Sequence, residues 1–267
     1  GPLLGVSWDG TGLGGDGTIW GGEFLLQRDD GWLRWGHLRP FSLPGGDAAA
    51  REPRRSAIGL LHALLGETLA ERRDLAPTGS FAAEELAVLL TAMRRGVNAP
   101  VTSSVGRLFD GVASLLDLRQ RVSFEGQAAM ALEYAVDEGW AGEGYGFPIE
   151  GDLPPLIVNW EPAIRTVLED LAREATRAEI ATRFHRGLVA VIVEMAQRVG
   201  QRRVLLTGGC FQNQVLVEGA IEALRAVGFE PYWHHQVPCN DGGIALGQAV
   251  AARDATLARQ LDGPAGP

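Results

Sequence analysis

Cysteine is scarce in this chain. Cys210 and Cys239 are the only two among 267 residues, and neither lies in a Cys-x-x-Cys or Cys/His zinc spacing. That excludes a disulfide framework and a zinc finger, and it points to a reducing cytoplasm. No apolar run approaches the roughly 20 residues that cross a bilayer, and no signal-peptide pattern is seen, so no membrane partner is expected. An excess of basic charge is missing as well. The net charge of −9 argues against a nucleic-acid surface, because phosphate contacts dominate such binding. Arg51, Arg54 and Arg55 make the one compact basic cluster of the first half, and they read as the solvated start of a helix.

Glycine, in contrast, is abundant, and two glycine-rich stretches carry most of the information. In the first, a strand-like run Leu3–Trp8 leads into Asp9-Gly10-Thr11-Gly12, and the segment to Glu23 is dominated by glycine and aspartate. Such a backbone is built for turns and close approach. A strand ending in Asp-Gly-Thr-Gly is also how actin-like ATPases and sugar kinases present a carboxylate beside a phosphate hairpin, although any glycine-rich hairpin can look this way. In the second, the apolar run Val204–Leu206 ends at Thr207-Gly208-Gly209, and Asn213 opens an amphipathic helix with Val215, Leu216, Ala220, Leu224 and Val227. Glycines there let backbone approach a phosphate, and the helix N-terminus adds roughly half a positive charge. A second strand, Phe229–His235, precedes the turn Pro238–Gly243 and a helix from Ile244. Asp241 on that turn either caps the helix or faces a ligand.

Together with TSSVGRLFD at Thr102–Asp110 and FEGQAA at Phe124–Ala129, these stretches resemble one family closely. It is the C-terminal domain of the HypF carbamoyltransferases of nickel–iron hydrogenase maturation. The resemblance covers nearly the whole chain. It includes WDGTG…DGTIWGGEF at Trp8–Phe24, LPGGDAAAREP at Leu43–Pro53, RFH at Arg183–His185, GGCFQN at Gly208–Asn213 and NDGGIALGQA at Asn240–Ala249.

The resemblance implies an α/β fold of the actin-like ATPase/sugar-kinase type, two-lobed, with a helical insertion at about 48–140 and a nucleotide-site lobe at about 160–254. The whole of 1–267 is then one carbamoyl-transfer domain whose N-terminal lobe is truncated. The activity it implies is transfer of a carbamoyl group from ATP-derived carbamoyl adenylate to the C-terminal cysteine thiolate of a HypE-type acceptor. The adenylating and acylphosphatase domains of the full-length enzyme would supply the adenylate. By the same resemblance Gly208 and Gly209 face phosphate with Asn213 behind them, Gly10 and Gly12 form the opposing hairpin, Asp110 contacts ribose hydroxyls, and adenosine packs at Gly126. Glu125 and Gln127 are weaker ribose candidates. Asp9 and Asp241, brought together across the cleft between the lobes, match the carboxylates of a divalent metal site for zinc, iron or magnesium. The family's histidine ligands belong to an upstream His-rich motif that this sequence does not contain, so metal binding is expected to be weak. No residue stands out as a catalytic nucleophile.

His185 beside Phe184 reads as a hydrogen-bonded packing histidine. His234 and His235, adjacent on a strand, point to opposite faces and do not share an ion easily. The tryptophans Trp8, Trp20, Trp32 and Trp35 read as strand core. Other readings stay open: a small-molecule O-carbamoyltransferase, an actin-like ATPase or sugar kinase that would release ADP, and a non-catalytic nucleotide- or partner-binding fragment.

Between the two stretches the periodicity predicts helices near Ala57–Asp74, Ala82–Arg95, Val105–Asp117, Gly126–Glu138, Trp160–Glu169 and Arg177–Val199, a loop at Ala141–Pro155, and a frayed tail at Ala255–Pro267.

Overall fold

A computed structural model describes residues 2–261 apart from 30, 138, 140 and 141, with side chains to residue 253. The chain starts with an antiparallel meander, β1 Leu4–Leu13, β2 Ile19–Arg28 and β3 Gly31–Leu38. In its first turn Asp16 Oδ1 accepts from the Thr18 amide at 3.0 Å and from Trp20 Nε1 at 3.0 Å, and Arg34 Nη1 closes on Asp16 Oδ2 at 3.0 Å. The glycine-rich hairpin is therefore pinned by one carboxylate, which its Thr18 hydrogen bonds hold well below the usual range. Short strand β4, Phe41–Ser42, follows.

A helical region then runs through α1 Pro53–Leu65, α2 Ala76–Gly79, α3 Ala83–Arg94, the short strand β5 Val101–Thr102, α4 Val105–Leu115 and α5 Gln127–Glu133. Two short strands, β6 Ile149–Glu150 and β7 Leu156–Val158, precede α6 Glu161–Ala172 and α7 Arg177–Val199. The chain closes with β8 Arg203–Thr207, α8 Gln214–Ala226, β9 Glu230–Trp233 and α9 Ile244–Leu261. Of the expected tail, the segment to Leu261 lies in α9, and 262–267 lie outside the described residues.

The result is a mixed α/β fold with a central sheet in the order β6-β7-β3-β2-β1-β8-β9. β8 adds to β1 in parallel, with Leu4 opposite Val204 and Ser7 opposite Thr207, and β9 continues that parallel side. Leu4, Val6 and Trp8 of β1 and Val204 and Leu206 of β8 are all buried, the alternate residues of each strand forming one core face. Trp8 stacks on Phe211 at 5.8 Å and meets Phe24 edge-on at 5.8 Å.

Several expectations change. The first and last segments share one sheet among the described residues, with β8 between β1 and β9; Asp9 lies in β1 and Asp241 in the turn that follows β9. The expected helix Ala57–Asp74 starts earlier, with Pro53 in its first turn, and stops at Gly66. The loop Ala141–Pro155 contains β6, whose side-chain pattern is too short to signal a strand. Arg54 is not a solvated side chain. It is 2% exposed, donates to Glu52 Oε2 and to the Ser80 carbonyl, and lies over the Phe81 ring at 3.8 Å. Trp8 is core, whereas Trp32 is 54% exposed.

Candidate functional site

Beyond the last pair of the β1–β8 register β8 ends while β1 runs on to Leu13, and the polar residues gather at that edge. Asp9 follows β1's buried Trp8, and its Oδ1 accepts from the Gly10 amide at 2.7 Å, while the Gly209 amide also favours its charged form. A Cβ on Gly209 would come within 2.8 Å of Asp9 Oδ1, so the position admits only glycine without displacing the carboxylate. Burial pushes the Asp9 carboxyl upward against those two amides, and the charges of Asp241 and Glu125 push the same way. The next loop is tied on by the Gly208 amide, which donates to the Cys239 carbonyl at 2.9 Å. Asn240 Oδ1 accepts from the Gly242 amide at 3.1 Å, so Asn240 caps the turn and Asp241 is left exposed toward the cavity.

α4 is pressed against this edge. Ser104 caps it by accepting from the Arg107 amide at 3.0 Å, and its hydroxyl lies 2.6 Å from the Asp9 carbonyl and 2.9 Å from that of Gly10. Gly106 makes the approach possible, since a Cβ there would sit 2.8 Å from Gly10 Cα. One turn on, Arg107 Nη1 is 2.8 Å from Asp110 Oδ2. The contact is electrostatic and not an aligned hydrogen bond. Arg107 Nε and Nη1 and Asp110 Oδ2 remain buried without a hydrogen-bond partner. Burial raises the Asp110 carboxyl to about 6 despite Arg107, and Glu125 adds to the rise.

These groups surround a cavity of about 590 Å³. Asp9, Gly10, Asp110, Gly126, Gly209, Asn213 and Asp241 all line it, so sequence-predicted residues from well-separated stretches meet in one place. Ala129, Met130 and Tyr134 of the α5 segment add an apolar side. Gly12 and Gly208 instead line a second cavity of about 430 Å³ that shares Asp9, Asn240 and Asp241 as its wall. Gly126 has φ +78 and nothing within 4 Å of where a Cβ would point. Gln127 faces away, its Oε1 accepting from the Ser123 amide at 2.9 Å.

Two details differ from the sequence reading. A 3-10 turn, Gly209–Gln212, separates the glycines from α8, which starts only at Gln214. That helix end is also served by protein groups: Asn213 Oδ1 accepts from the Leu216 amide at 2.9 Å and Glu133 Oε1 from the Gln214 amide at 2.6 Å. Asn213 Nδ2 in turn meets His185 Nε2 at 2.9 Å, and His185 Nδ1 lies 2.8 Å from the Ala181 carbonyl. His185 is thus a buried, neutral packing histidine, pushed down to about 4 by burial. Arg107 is the residue that sequence reasoning misses, though its spacing of three from Asp110 on a helix puts both on one face.

His234 Nε2 lies 2.9 Å from Thr207 Oγ1, and His235 packs on Trp233 at 4.6 Å. Cys210 and Cys239 are free and line the larger and smaller cavities respectively. Burial raises both thiols, so neither is an activated nucleophile. A divalent ion takes about three or four protein donors. Among the described residues no group of three or more His, Cys, Asp or Glu is arranged so that it could hold a metal ion. Asp9 and Asp241 therefore fit a metal only as part of a larger ligand set. No helix among the described residues is long and apolar enough to cross a membrane.

A family model described as "Carbamoyltransferase, Kae1-like Domain, second subdomain" matches residues 5–248. The chain is 40% identical over 272 residues to a carbamoyltransferase HypF of a Synechocystis species, covering 93% of this chain and 34% of that protein. It is 42% identical over 265 residues to the HypF of Rhizobium leguminosarum bv. viciae, covering 96% and 33%. The crystal structure of a full-length HypF in its phosphate- and nucleotide-bound form superposes with a TM-score of 0.87 at 35% identity, over 95% of this chain and 40% of that one. The chain thus spans about one third of the length of the curated relatives it matches.

Proposed function

The chain belongs to the HypF carbamoyltransferase family, and from that premise we propose that it is the domain that moves a carbamoyl group from carbamoyl adenylate to the C-terminal cysteine thiolate of a HypE-type acceptor. The setting is cytoplasmic synthesis of the cyanide ligands of nickel–iron hydrogenase. The observation that carries this reading is the convergence of Asp9, Gly10, Asp110, Gly126, Gly209 and Asp241 on one cavity large enough for a nucleotide.

In this reading the adenosine lies along the α5 side by Gly126 and Ala129, and Asp110 accepts from a ribose hydroxyl. The glycines contribute open backbone in place of side chains, which lets the phosphate end reach Asp9 and the loop at Asp241. The acceptor sulfur attacks the carbamoyl carbon, a C–S bond forms, and the C–O bond to the phosphate breaks, AMP leaving with the electron pair. Neither Cys210 nor Cys239 is an activated nucleophile, which suits an acceptor thiolate carried by a partner. Asp9 and Asp241 would hold a divalent ion once further donors join them, and such an ion supplies Lewis-acid stabilisation of developing charge. The adenylate would come from the adenylating and acylphosphatase domains of the full-length enzyme. The sheet order and the Asp-Gly-Thr-Gly hairpin support an actin-like ATPase/sugar-kinase fold, with the helices between 53 and 133 as an insertion.

The test combines this chain with a HypF adenylating domain, carbamoyl phosphate, ATP and an acceptor peptide ending in cysteine. Thiocarbamate and AMP should appear together and only when the adenylate is made. Transfer directly from carbamoyl phosphate, or release of ADP, contradicts the assignment.

A further inference from the structure

The proposed nucleotide site has a missing partner for its phosphate. Of the glycines first expected to cradle it, Gly10 donates to Asp9, Gly208 donates to the Cys239 carbonyl, and the Gly209 amide favours the charged form of the Asp9 carboxylate. The N-terminus of α8 is no better, since Asn213 and Glu133 already take its Leu216 and Gln214 amides. The cavity is otherwise acidic, lined by Asp9, Asp110, Glu125, Glu133 and Asp241. A phosphate entering that field without a cation would be repelled.

The sequence contains no lysine, and among the residues described at this cavity Arg107 is the one permanent cation. Its side chain is 7% exposed, and its Nε and Nη1 are buried without hydrogen-bond partners. Its Nη2 fills the side of Gly10 that a side chain would take: a Cβ there would come within 3.0 Å of it and 3.3 Å of Glu125 Oε1. Asp110 Oδ2 is likewise unsatisfied, although it lies 2.8 Å from Arg107 Nη1. A closed structural ion pair would align its hydrogen bonds, because a buried charge left unsatisfied is costly. This pair is close but open, with donors and an acceptor left over.

We propose that Arg107 recognises the phosphate of the bound nucleotide while Asp110 takes the ribose, the two acting as one reader for a nucleoside monophosphate ester. The proposal rests on the nucleotide reading of the cavity. A guanidinium fork suits phosphate oxygens geometrically, and the missing Cβ of Gly10 leaves room for that guanidinium at the cavity wall.

Calorimetry with AMP and adenosine separates this role from a purely structural one. The wild-type chain should prefer AMP, and Arg107→Gln should weaken AMP by roughly 10- to 100-fold while leaving adenosine unchanged. Arg107→Lys, which keeps the charge without the fork, should fall between them. An unchanged ratio of AMP to adenosine affinity in Arg107→Gln, or equal loss of both ligands, overturns the assignment. Should Arg107→Gln fail to melt cooperatively, Arg107→Lys decides between the same two roles: AMP weakened against constant adenosine supports phosphate recognition, and a constant ratio overturns it. Absence of binding of either ligand to the folded wild-type protein removes the nucleotide site itself, and this role with it.

Discussion

Asn213 Nδ2 and His185 Nε2 meet at 2.9 Å, joining the first turn of α8 to the middle of α7. Because His185 Nδ1 is 2.8 Å from the Ala181 carbonyl, the ring's proton sits on Nδ1 and Nε2 is the acceptor. Asn213 thus caps one helix and satisfies a buried ring on another. Asn213→Ala removes the cap and strands His185 Nε2, so the fold should lose about 1–4 kcal/mol. Urea denaturation of the two proteins measures it. A loss within error of zero contradicts the double role.

His185 and Asp110 should give opposing pH dependences. His185 is held down to about 4 from an ordinary 6.5, so the unfolded chain takes up a proton first as pH falls, and stability drops between about 6.5 and 4. Asp110 is raised to about 6 from 3.8, so the folded chain holds its proton longer, and stability drops as pH rises between about 4 and 6. Each difference is worth about 3 kcal/mol. The wild-type profile across that window should therefore be shallow. Relative to it, His185→Gln should tilt the profile toward loss at higher pH, and Asp110→Asn toward loss at lower pH. Identical slopes in all three proteins contradict both assignments.

Metal retention should be poor. Asp9 and Asp241 supply two carboxylates, and Asp9 also accepts the Gly10 and Gly209 amides. Elemental analysis after dialysis should find little bound zinc, iron or magnesium. Adding the His-rich segment that the family resemblance places before β1 should raise occupancy, and Asp9→Ala or Asp241→Ala should abolish the gain. Stoichiometric metal in the present chain that survives both substitutions points instead to His234, His235 and the cysteines.

Much of this is legible in the sequence where local chemistry dictates it. The apolar run Leu3–Trp8 locates the start of β1, and α7 matches its periodicity over Arg177–Val199. The misses have long-range causes. Arg54 looks solvated from its charged neighbours, yet Glu52 and the Ser80 carbonyl, which comes from beyond α1, accept it in a buried position. Asp241 is open in the sequence between capping its helix and facing a ligand, and Asn240 one residue earlier is the residue that caps the turn. The helix N-terminus behind Gly208-Gly209 reads as an anion site. The short 3-10 turn and Glu133, from a distant helix, are what occupy it. For Arg107 the sequence shows only the spacing that puts it on one helix face with Asp110, and nothing in it shows that the guanidinium will lack a hydrogen-bond partner once buried.

The most direct measurement of the central claim is a calorimetric titration of the folded chain with a non-hydrolysable carbamoyl-adenylate mimic, repeated on Asp110→Ala. One-to-one binding is expected, weakened by about 1–3 kcal/mol in the variant through loss of the ribose hydrogen bond. Failure of the folded wild-type protein to bind the mimic even at millimolar concentration, or equal affinity in the variant, contradicts the account.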